Sequence, residues 1–544
     1  VLNIQWDGPW LARTQPLENG WSAEYYIPWS MMALPQVEGE RKLGLYFERQ
    51  VGHLQGETWS NPPLPRTVNE YLSAFEMYQL SDIEPRRQLT YYPFVSGVHD
   101  GIKGTSEYKV GTELYWRPTS NSLLSASLNP DFGSLQADDV VVNLTAFEVF
   151  FPERRVFFLE GQDVFNTSPR STGGGPGGPI SLLNTRRIGS AAIYDIPDDV
   201  SVVATDRSRP SELLGAAKFT GQNGNWRYGT LLASENDSQI TGTRDDGTPI
   251  TIDAQGRDFS VARLLYEDTS AGGRRAIGWM GTNLSHPDID ATTQALDMHY
   301  FSADSKLLID TQIMHSDVNG VTGSGFLGDF SYRPRRGLQH GLRATYIDDT
   351  LDLNELGFLT RNDQMNLDYN MFNVESDVEG LRQRTTSVFV TNQWNTDGEP
   401  VRIGLFLNRG YNLLNNDTVD FSVRYFPPRI DDRLGRGTGD FKMNGRAGLN
   451  LGYETNPAEP LALRVGVNLG QDQLGPATTQ MTGGATWRPN DRFSADIRLD
   501  YTDREALLVH QGDGAYTSFE SHQWSPRLEM NYFLSAWQQL RFTM

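Results

Sequence analysis

"FKMNGRAGLNLGY", Phe441 to Tyr453, places Phe441, Met443, Ala447, Leu449, Leu451 and Tyr453 on one side of an extended chain and Lys442, Asn444, Arg446, Gly448, Asn450 and Gly452 on the other. A period of two marks a strand with two unlike faces, and the stretch reads as one long strand. The pattern recurs. Leu463, Val465, Val467 and Leu469 stand against Arg464, Gly466 and Asn468, and Phe493, Ala495, Ile497, Leu499 and Tyr501 stand against Ser494, Asp496, Arg498 and Asp500. Val419, Phe421, Val423 and Tyr425 against Asp420, Ser422 and Arg424 make a further case. Runs of roughly 9 to 11 residues are what a tilted strand needs to cross a bilayer, whereas strands of soluble proteins average about 5 to 6.

Alternation alone also fits a set of soluble sandwiches, each with one wet face. Three features favour a barrel with its apolar side outward. The polar face mixes Gly, Ser and Asn with Arg and Asp, as suits an aqueous lumen. Aromatics such as Tyr425, Phe426, Tyr453, Trp487 and Tyr501 fall at strand ends, where interface girdles lie. The strand pattern also runs from about Tyr108 to the last residue without a convincing long helix.

Punctuation adds to this. "YWRP" (Tyr115–Pro118), "SYRP" (Ser331–Pro334), "YFPPR" (Tyr425–Arg429) and "TWRP" (Thr486–Pro489) each end an alternating run with an aromatic and a proline, which cannot donate to a ladder. They read as short turns on one rim. Ser234–Asp258 and Tyr346–Asp363 are long and acidic and read as loops of the other rim, the latter as a solvated loop.

Composition bounds the partners. The chain has 544 residues, a formal net charge of −21 and no cysteine. The acidic balance argues against nucleic acid, whose phosphates are bound by clustered Lys and Arg. Without cysteine there is neither a disulfide framework nor a thiolate site. Mean hydropathy is −0.48, a value that an all-helical reading would take as soluble but that says little about strands.

"LTAFEVFFPERRVFFLEGQDVF", Leu144 to Phe165, is rich in phenylalanine yet repeatedly broken by charge. Pro152 in mid-run excludes a continuous helix. The expectation is a hairpin with Pro152 to Arg155 at its turn, with Glu148 or Glu160 paired to Arg154 or Arg155, and Glu153 in the same structural charge cluster. A glycosidase reading would need two carboxylates about 5 to 9.5 Å apart on one pocket. The arginines beside them make ion pairing the commoner explanation.

Other motifs carry less. Gly173, Gly175 and Gly178 match G-x-G-x-x-G only by letter, because Pro176 interrupts it and no strand leads in. The acidic group Asp348, Asp349, Asp352, Asn354 and Glu355 lacks EF-hand spacing. No metal site, cofactor or catalytic residue is assigned.

Residues 1–80 differ in texture, with short strands and several tryptophans. "GWSAEYYIPWSMM" and "LGLYFERQ…TWSNPP" resemble the C-terminal half of a family 9 carbohydrate-binding module. That resemblance implies sugar stacking on Trp6, Trp10, Trp21, Trp29 and Trp59, although Trp21 and Trp29 in strand positions also fit a core. The long stretch "LNPDFGSLQADDVVVNLTAFEVFFPERRVFFLEGQDVF", with "LLGAAKFTGQNGNWRYG" and "LNELGFLTRND", is similar to the signature of a bacterial outer-membrane family, the domain-of-unknown-function 5916 family.

The resulting expectation is an all-β chain, a large antiparallel transmembrane β-barrel preceded by part of a small β-sandwich. Residues 1–80 form the module-like part, 81–106 a linker, and 107–544 a barrel left open at its C-terminal edge, with "NYFLSAWQQLRFTM" starting an unpartnered strand. The resemblance implies an outer-membrane protein of a Gram-negative bacterium that binds or passes a glycan or other solute. A glycan-active hydrolase and a non-catalytic scaffold of a surface complex are the alternatives. Implied partners are outer-membrane lipid and lipopolysaccharide, carbohydrate, and another surface or periplasmic protein.

Overall fold

A computed structural model describes residues 10–18, 20–29, 40–50, 58–62, 75–80, 88–101, 104–119, 121–131, 148–172, 178–376, 378–435, 439–512, 515–535 and 538–544. Among them, 21 strands between Gln88–Asp100 and Gln538–Thr543 form one sheet whose order is that of a closed barrel. The fold is all-β, as the alternation implied. Sequence neighbours pair antiparallel: Arg274–Ser285 runs in unbroken register with Asp290–Phe301, from Arg274 opposite Phe301 to Ser285 opposite Asp290. Where a long insertion intervenes, Ser122–Leu128 still pairs with Leu213–Asn223, Leu124 opposite Phe219.

Three boundaries need correction. Gln88–Asp100, expected within a linker, is a strand of the sheet, paired with Thr105–Thr119 from Gln88 opposite Arg117 to Asp100 opposite Thr105. Its Pro93 and Gly97 hid the alternation. That extra strand also removes the expected open edge, because Gln538–Thr543 has Gln88–Asp100 as its neighbour in the strand order rather than Tyr108–Trp116. Finally, Phe441 to Tyr453 is not one strand. Phe441–Met443 pairs with Arg429–Asp431 in a separate two-stranded sheet, and Arg446–Glu454 alone joins the barrel. The break falls at Asn444 and Gly445, two residues with little liking for a strand interior.

The connections fall into two sets. At one rim they are short, as from Asn223 to Trp226, Arg335 to Leu338 and Asn490 to Phe493. From the other rim leave the long excursions 129–212, 236–257, 348–363 and 427–445. "YWRP", "SYRP" and "TWRP" end at the short-turn rim, as expected. "YFPPR" does not: it ends a strand at the other rim and opens the excursion 427–445.

Along the strands, burial follows parity. Leu461, Leu463, Val465 and Leu469 are exposed on the outer side while Ala462 is buried and Arg464 half-buried on the inner one. The outer face continues with Ile277, Leu296, Ile313, Leu342, Leu405 and Leu451, all exposed. Exposed Trp116, Trp226, Tyr332, Tyr453 and Trp487 ring the short-turn rim, and Tyr346 and Tyr425 stand near the other. A contiguous apolar band of this extent is far beyond what a soluble monomer shows to water.

In the N-terminal part, Leu11–Leu17 pairs with Gly20–Tyr26, Arg41–Leu45 with Glu76–Leu80, and Phe47–Gln50 with Thr58–Asn61, as three separate two-stranded sheets. Among the described residues of 10–80, none with a described side chain is buried.

Candidate functional site: the barrel lumen

Leu144–Phe165 was expected to be a hairpin. Residues 144–147 lie outside the described residues, and the rest is an inner segment rather than two strands. Val156–Leu159 is one helical turn, Gly161 takes a left-handed conformation at φ 71°, and Gln162–Phe165 is a 3-10 turn. The cause is local. The Glu153 carboxylate accepts the backbone N–H groups of Arg154 (2.9 Å) and Arg155 (2.8 Å), so the chain turns where a ladder would have continued. Pro152, just before, has no N–H to give a ladder.

Phe157 and Phe158 are neighbours and both buried, which no alternating strand with one wet face allows. They are enclosed on all sides. Val164, Phe165, Leu182 and Ile188 of the inner segment join Met280, Leu284, Met314 and Leu327 of the wall and Leu351, Leu353, Leu356 and Leu359 of the excursion 348–363 in one apolar cluster. The acidic stretch after Tyr346 is thus not a solvated loop. Its leucines turn inward, its Phe358 pairs with Ser181 through two backbone hydrogen bonds (2.8 and 3.0 Å), and its carboxylates cap its own turns, as Asp348 does for Leu351 N–H at 2.6 Å.

Ion pairs fasten this filling to the wall. Arg155 and Glu153 are both buried and bonded through two contacts (2.9 and 2.7 Å); Arg155 also donates to the carbonyls of Thr185 and Ile188. Burial works against the charge on Glu153, yet the hydrogen bonds and charge of Arg155, with the Thr185 hydroxyl, outweigh it and hold the carboxyl below its ordinary value. Arg170 reaches Asp329 on the wall at 2.8 Å and Thr345 at 2.6 Å. Lys218 projects from the wall and donates to the carbonyls of Phe157 and Phe158. On the wall itself, Arg263 grips Asp297 with both side chains fully enclosed, and His299 bridges Asp297 (2.8 Å) to Asp310 (2.6 Å).

The expected partners of the charge cluster are therefore partly wrong. Glu160 pairs with Arg117 at 2.8 Å and Glu148 with Arg187 at 2.8 Å, not with Arg154 or Arg155. Within the cluster, Glu153 and Arg155 meet as a pair. Each of Glu148, Glu153, Glu160 and Asp163 has its own arginine, the last being Arg227.

The inner face of strands Gln364–Glu375 through Ala477–Asn490 is polar, and among the described residues the apolar filling does not extend onto it. Arg424 donates to Asn468 (2.8 Å), Asn468 to Gln480 (2.7 Å), and Arg464 bridges to Asp496 (2.8 Å). A cavity of about 390 Å³ separates Phe150, Ile180 and Phe358 of the filling from Gln393 and Arg402 of the wall. A second, about 360 Å³, lies along Thr385, Ser387, Asn408, Asp420 and Asn450. Parity had already placed Arg424 and Asn450 on the polar face; the filling had no such signature.

Of the tryptophans singled out by sequence, Trp6 lies outside the described residues. Trp10, Trp21, Trp29 and Trp59 are exposed, so Trp21 and Trp29 are not core residues here. The Arg49 guanidinium stands 5.4 Å from the ring centroids of both Trp21 and Trp59. Gly173 and Gly175 also fall outside the described residues.

Loose structural likenesses exist to outer-membrane proteins. Pseudomonas aeruginosa OccK1 (OpdK) matches at 10% identity and a TM-score of 0.31, over 63% of this chain and 96% of that one. The ferric enterobactin receptor PfeA matches at 8% identity and 0.34, over 88% and 78%. The ferric yersiniabactin uptake receptor FyuA from Yersinia pestis matches at 11% and 0.27, over 84% and 68%. No curated protein matches. Residues 85–544 match the family described as a domain of unknown function, DUF5916, and the chain belongs to that family.

Proposed function

We propose that the chain is an outer-membrane β-barrel of a Gram-negative bacterium that binds or passes polar solutes through the unfilled part of its lumen. The observation that carries this is the pairing of opposite faces on the same strands. Leu405, Val423, Leu451 and Val465 are exposed outward, while Asn408, Ser422, Asn450 and Asn468 line the interior of the same sheet. An apolar exterior with aromatic rims suits hydrocarbon and its interfaces, and lipid and lipopolysaccharide are then the surrounding partners. Short turns on one rim and long excursions on the other suit a periplasmic and an external side respectively, and because Gln88–Asp100 begins at the short-turn rim, residues 10–80 belong to the periplasmic side in this reading.

The test is passage. Purified protein in planar bilayers should give discrete conductance steps, and liposomes carrying it should swell in small neutral sugars. Liposomes that hold every solute tested would remove the passage reading.

A second reading concerns the N-terminal part. The exposed rings of Trp10, Trp21, Trp29 and Trp59 support carbohydrate stacking there, with Arg49 covering one approach to Trp21 and Trp59. Saturable quenching of tryptophan fluorescence by oligosaccharides, lost in Trp21→Ala and Trp59→Ala, is the corresponding measurement. A glycan-active hydrolase draws no support from the four carboxylates of the inner segment, each held by an arginine.

A further inference from the structure

Most lumenal arginines have a carboxylate. Arg155 has Glu153, Arg170 has Asp329, Arg257 has Glu235, Arg361 has Asp432 and Arg464 has Asp496. Among the described residues, no ion pair joins Arg402, Arg424, Arg429 or Arg446 to an acid, and unlike Arg333 and Arg433, which also lack one, these four lie close together. In a chain of net charge −21, such a group stands out.

The four gather around Phe426. Arg446 is opposite Phe426 in the strand register, and its guanidinium carbon is 4.6 Å from the ring centroid. Arg424 precedes Phe426 by two residues and shares its inward face. Arg402 is two residues before Gly404, where an added Cβ would stand 3.1 Å from the Phe426 ring. Arg429 follows Phe426 at the start of the excursion. The charges of Arg429, Arg424 and Arg402 all act against that of Arg446, with Asp472 opposing them. Arg446 Nε and Arg429 Nη1 are moreover buried with no hydrogen-bond partner. Unmet donors on buried cations are costly unless something fills them.

The nearby acids are engaged elsewhere. Asp431 Oδ1 accepts the backbone N–H groups of Arg433 (3.3 Å) and Leu434 (2.9 Å); Asp472 accepts those of Leu474 and Ala506, both at 3.1 Å. Burial holds the Arg429 guanidinium below its ordinary value, with Asp431 opposing and Arg402 adding to the effect. Two glycines keep the pocket open for Arg424. A Cβ at Gly448 would lie 2.5 Å from Arg424 Nε, and one at Gly470 would lie 3.4 Å from Arg424 Nη2.

From this geometry we infer that Arg402, Arg424, Arg429 and Arg446 form a binding site for a small solute bearing carboxylate or phosphate groups. Guanidinium forks meet such oxygens two at a time, and several of them around one point favour a multiply charged anion. The inference names a substrate class for the lumen and so rests on that reading of the barrel, but binding can be measured without passage.

The experiment is calorimetric titration of the detergent-solubilised chain at low ionic strength, with citrate and inorganic phosphate as separate probes. Three variants accompany the wild type: R424Q/R446Q, G448A, and R336Q at the short-turn rim as a loss of positive charge away from the site. Heat-shifted migration on electrophoresis confirms each barrel. Saturable binding of at least one probe by the wild type, weakened tenfold or more in R424Q/R446Q, reduced in G448A and unchanged in R336Q, is the expected result. No saturable binding by the wild type, or equal affinity in R424Q/R446Q, overturns the site. A barrel that passes neutral sugars but binds neither anion refutes the site and leaves the channel. One that binds an anion but passes nothing does the reverse.

Discussion

Arg155→Met is the most informative single perturbation of the lumenal filling. The methionine keeps much of the aliphatic packing of the side chain but removes the guanidinium that contacts both oxygens of Glu153 and the carbonyls of Thr185 and Ile188. Glu153 is only 5% exposed, so its carboxylate would remain enclosed with the Thr185 hydroxyl, two backbone amides and the Arg186 guanidinium, 4.0 Å away, as its remaining contacts. Breaking one side of a buried pair in this way costs about 3–5 kcal/mol. Residue 155 takes no part in the barrel ladder, so the cost should appear as local opening of the inner segment. At about 1.4 kcal/mol per decade, amides of Phe158, Leu159 and Glu160, which close the helical turn, should exchange roughly 10² to 10⁴ times faster. Hydrogen exchange by mass spectrometry on protein in lipid nanodiscs reads this directly. Amides of Arg274–Ser285 should keep their protection. Equal acceleration in that strand would mean that filling and wall open together, and unchanged exchange in the segment would mean that the pair contributes nothing.

Other outcomes follow from single groups. The folded-state carboxyl of Glu153 is held below its ordinary value, so its contribution to the filling is present above the unfolded value near 4.5 and is lost as pH falls through the folded one. A spin label on the inner segment should therefore become mobile at acid pH, and the Glu153→Gln variant should lack that transition. Glu355 is the opposite case. Burial first, then Asp352, raises its carboxyl, so folding loses stability as pH rises from 4.5 through the folded value. Glu355→Gln should then protect the 348–363 excursion from proteolysis at neutral pH more than at acid pH. Val465→Arg, on the exposed outer face, should cost roughly 2 to 4 kcal/mol in urea-dependent folding into liposomes if it lies near the midplane, and Asn450→Arg on the inner face much less.

What the sequence made legible was the wall. Parity along Leu463 to Leu469 and Val419 to Tyr425 assigned the outer and inner faces as the strands carry them, because a barrel side chain has only two directions to point. Rims were legible where an aromatic and a proline closed a run, and misread at Tyr425–Arg429, where the same letters open an inward excursion. The filling was not legible. A segment surrounded by barrel on all sides has no polar face, so Phe157 and Phe158 can both be buried and no period survives to be read. The same reason hid the inward turn of Leu351, Leu353 and Leu356 beneath their flanking acids. Arg402, Arg424, Arg429 and Arg446 are up to 44 positions apart, and three barrel strands and the short strand Arg429–Asp431 must align before they meet.

In this barrel the apolar side of the strands faces lipid and the polar side water. Because the chain has no cysteine, single cysteines can be placed in turn at Leu463, Arg464, Val465, Gly466, Val467 and Asn468, labelled with a polarity-sensitive dye, and read in bilayers of brominated lipid and against aqueous iodide. Strict alternation is expected, with positions 463, 465 and 467 quenched from the lipid and 464, 466 and 468 quenched from water. Uniform aqueous quenching along the run, or a chain that stays monodisperse without detergent, would contradict it.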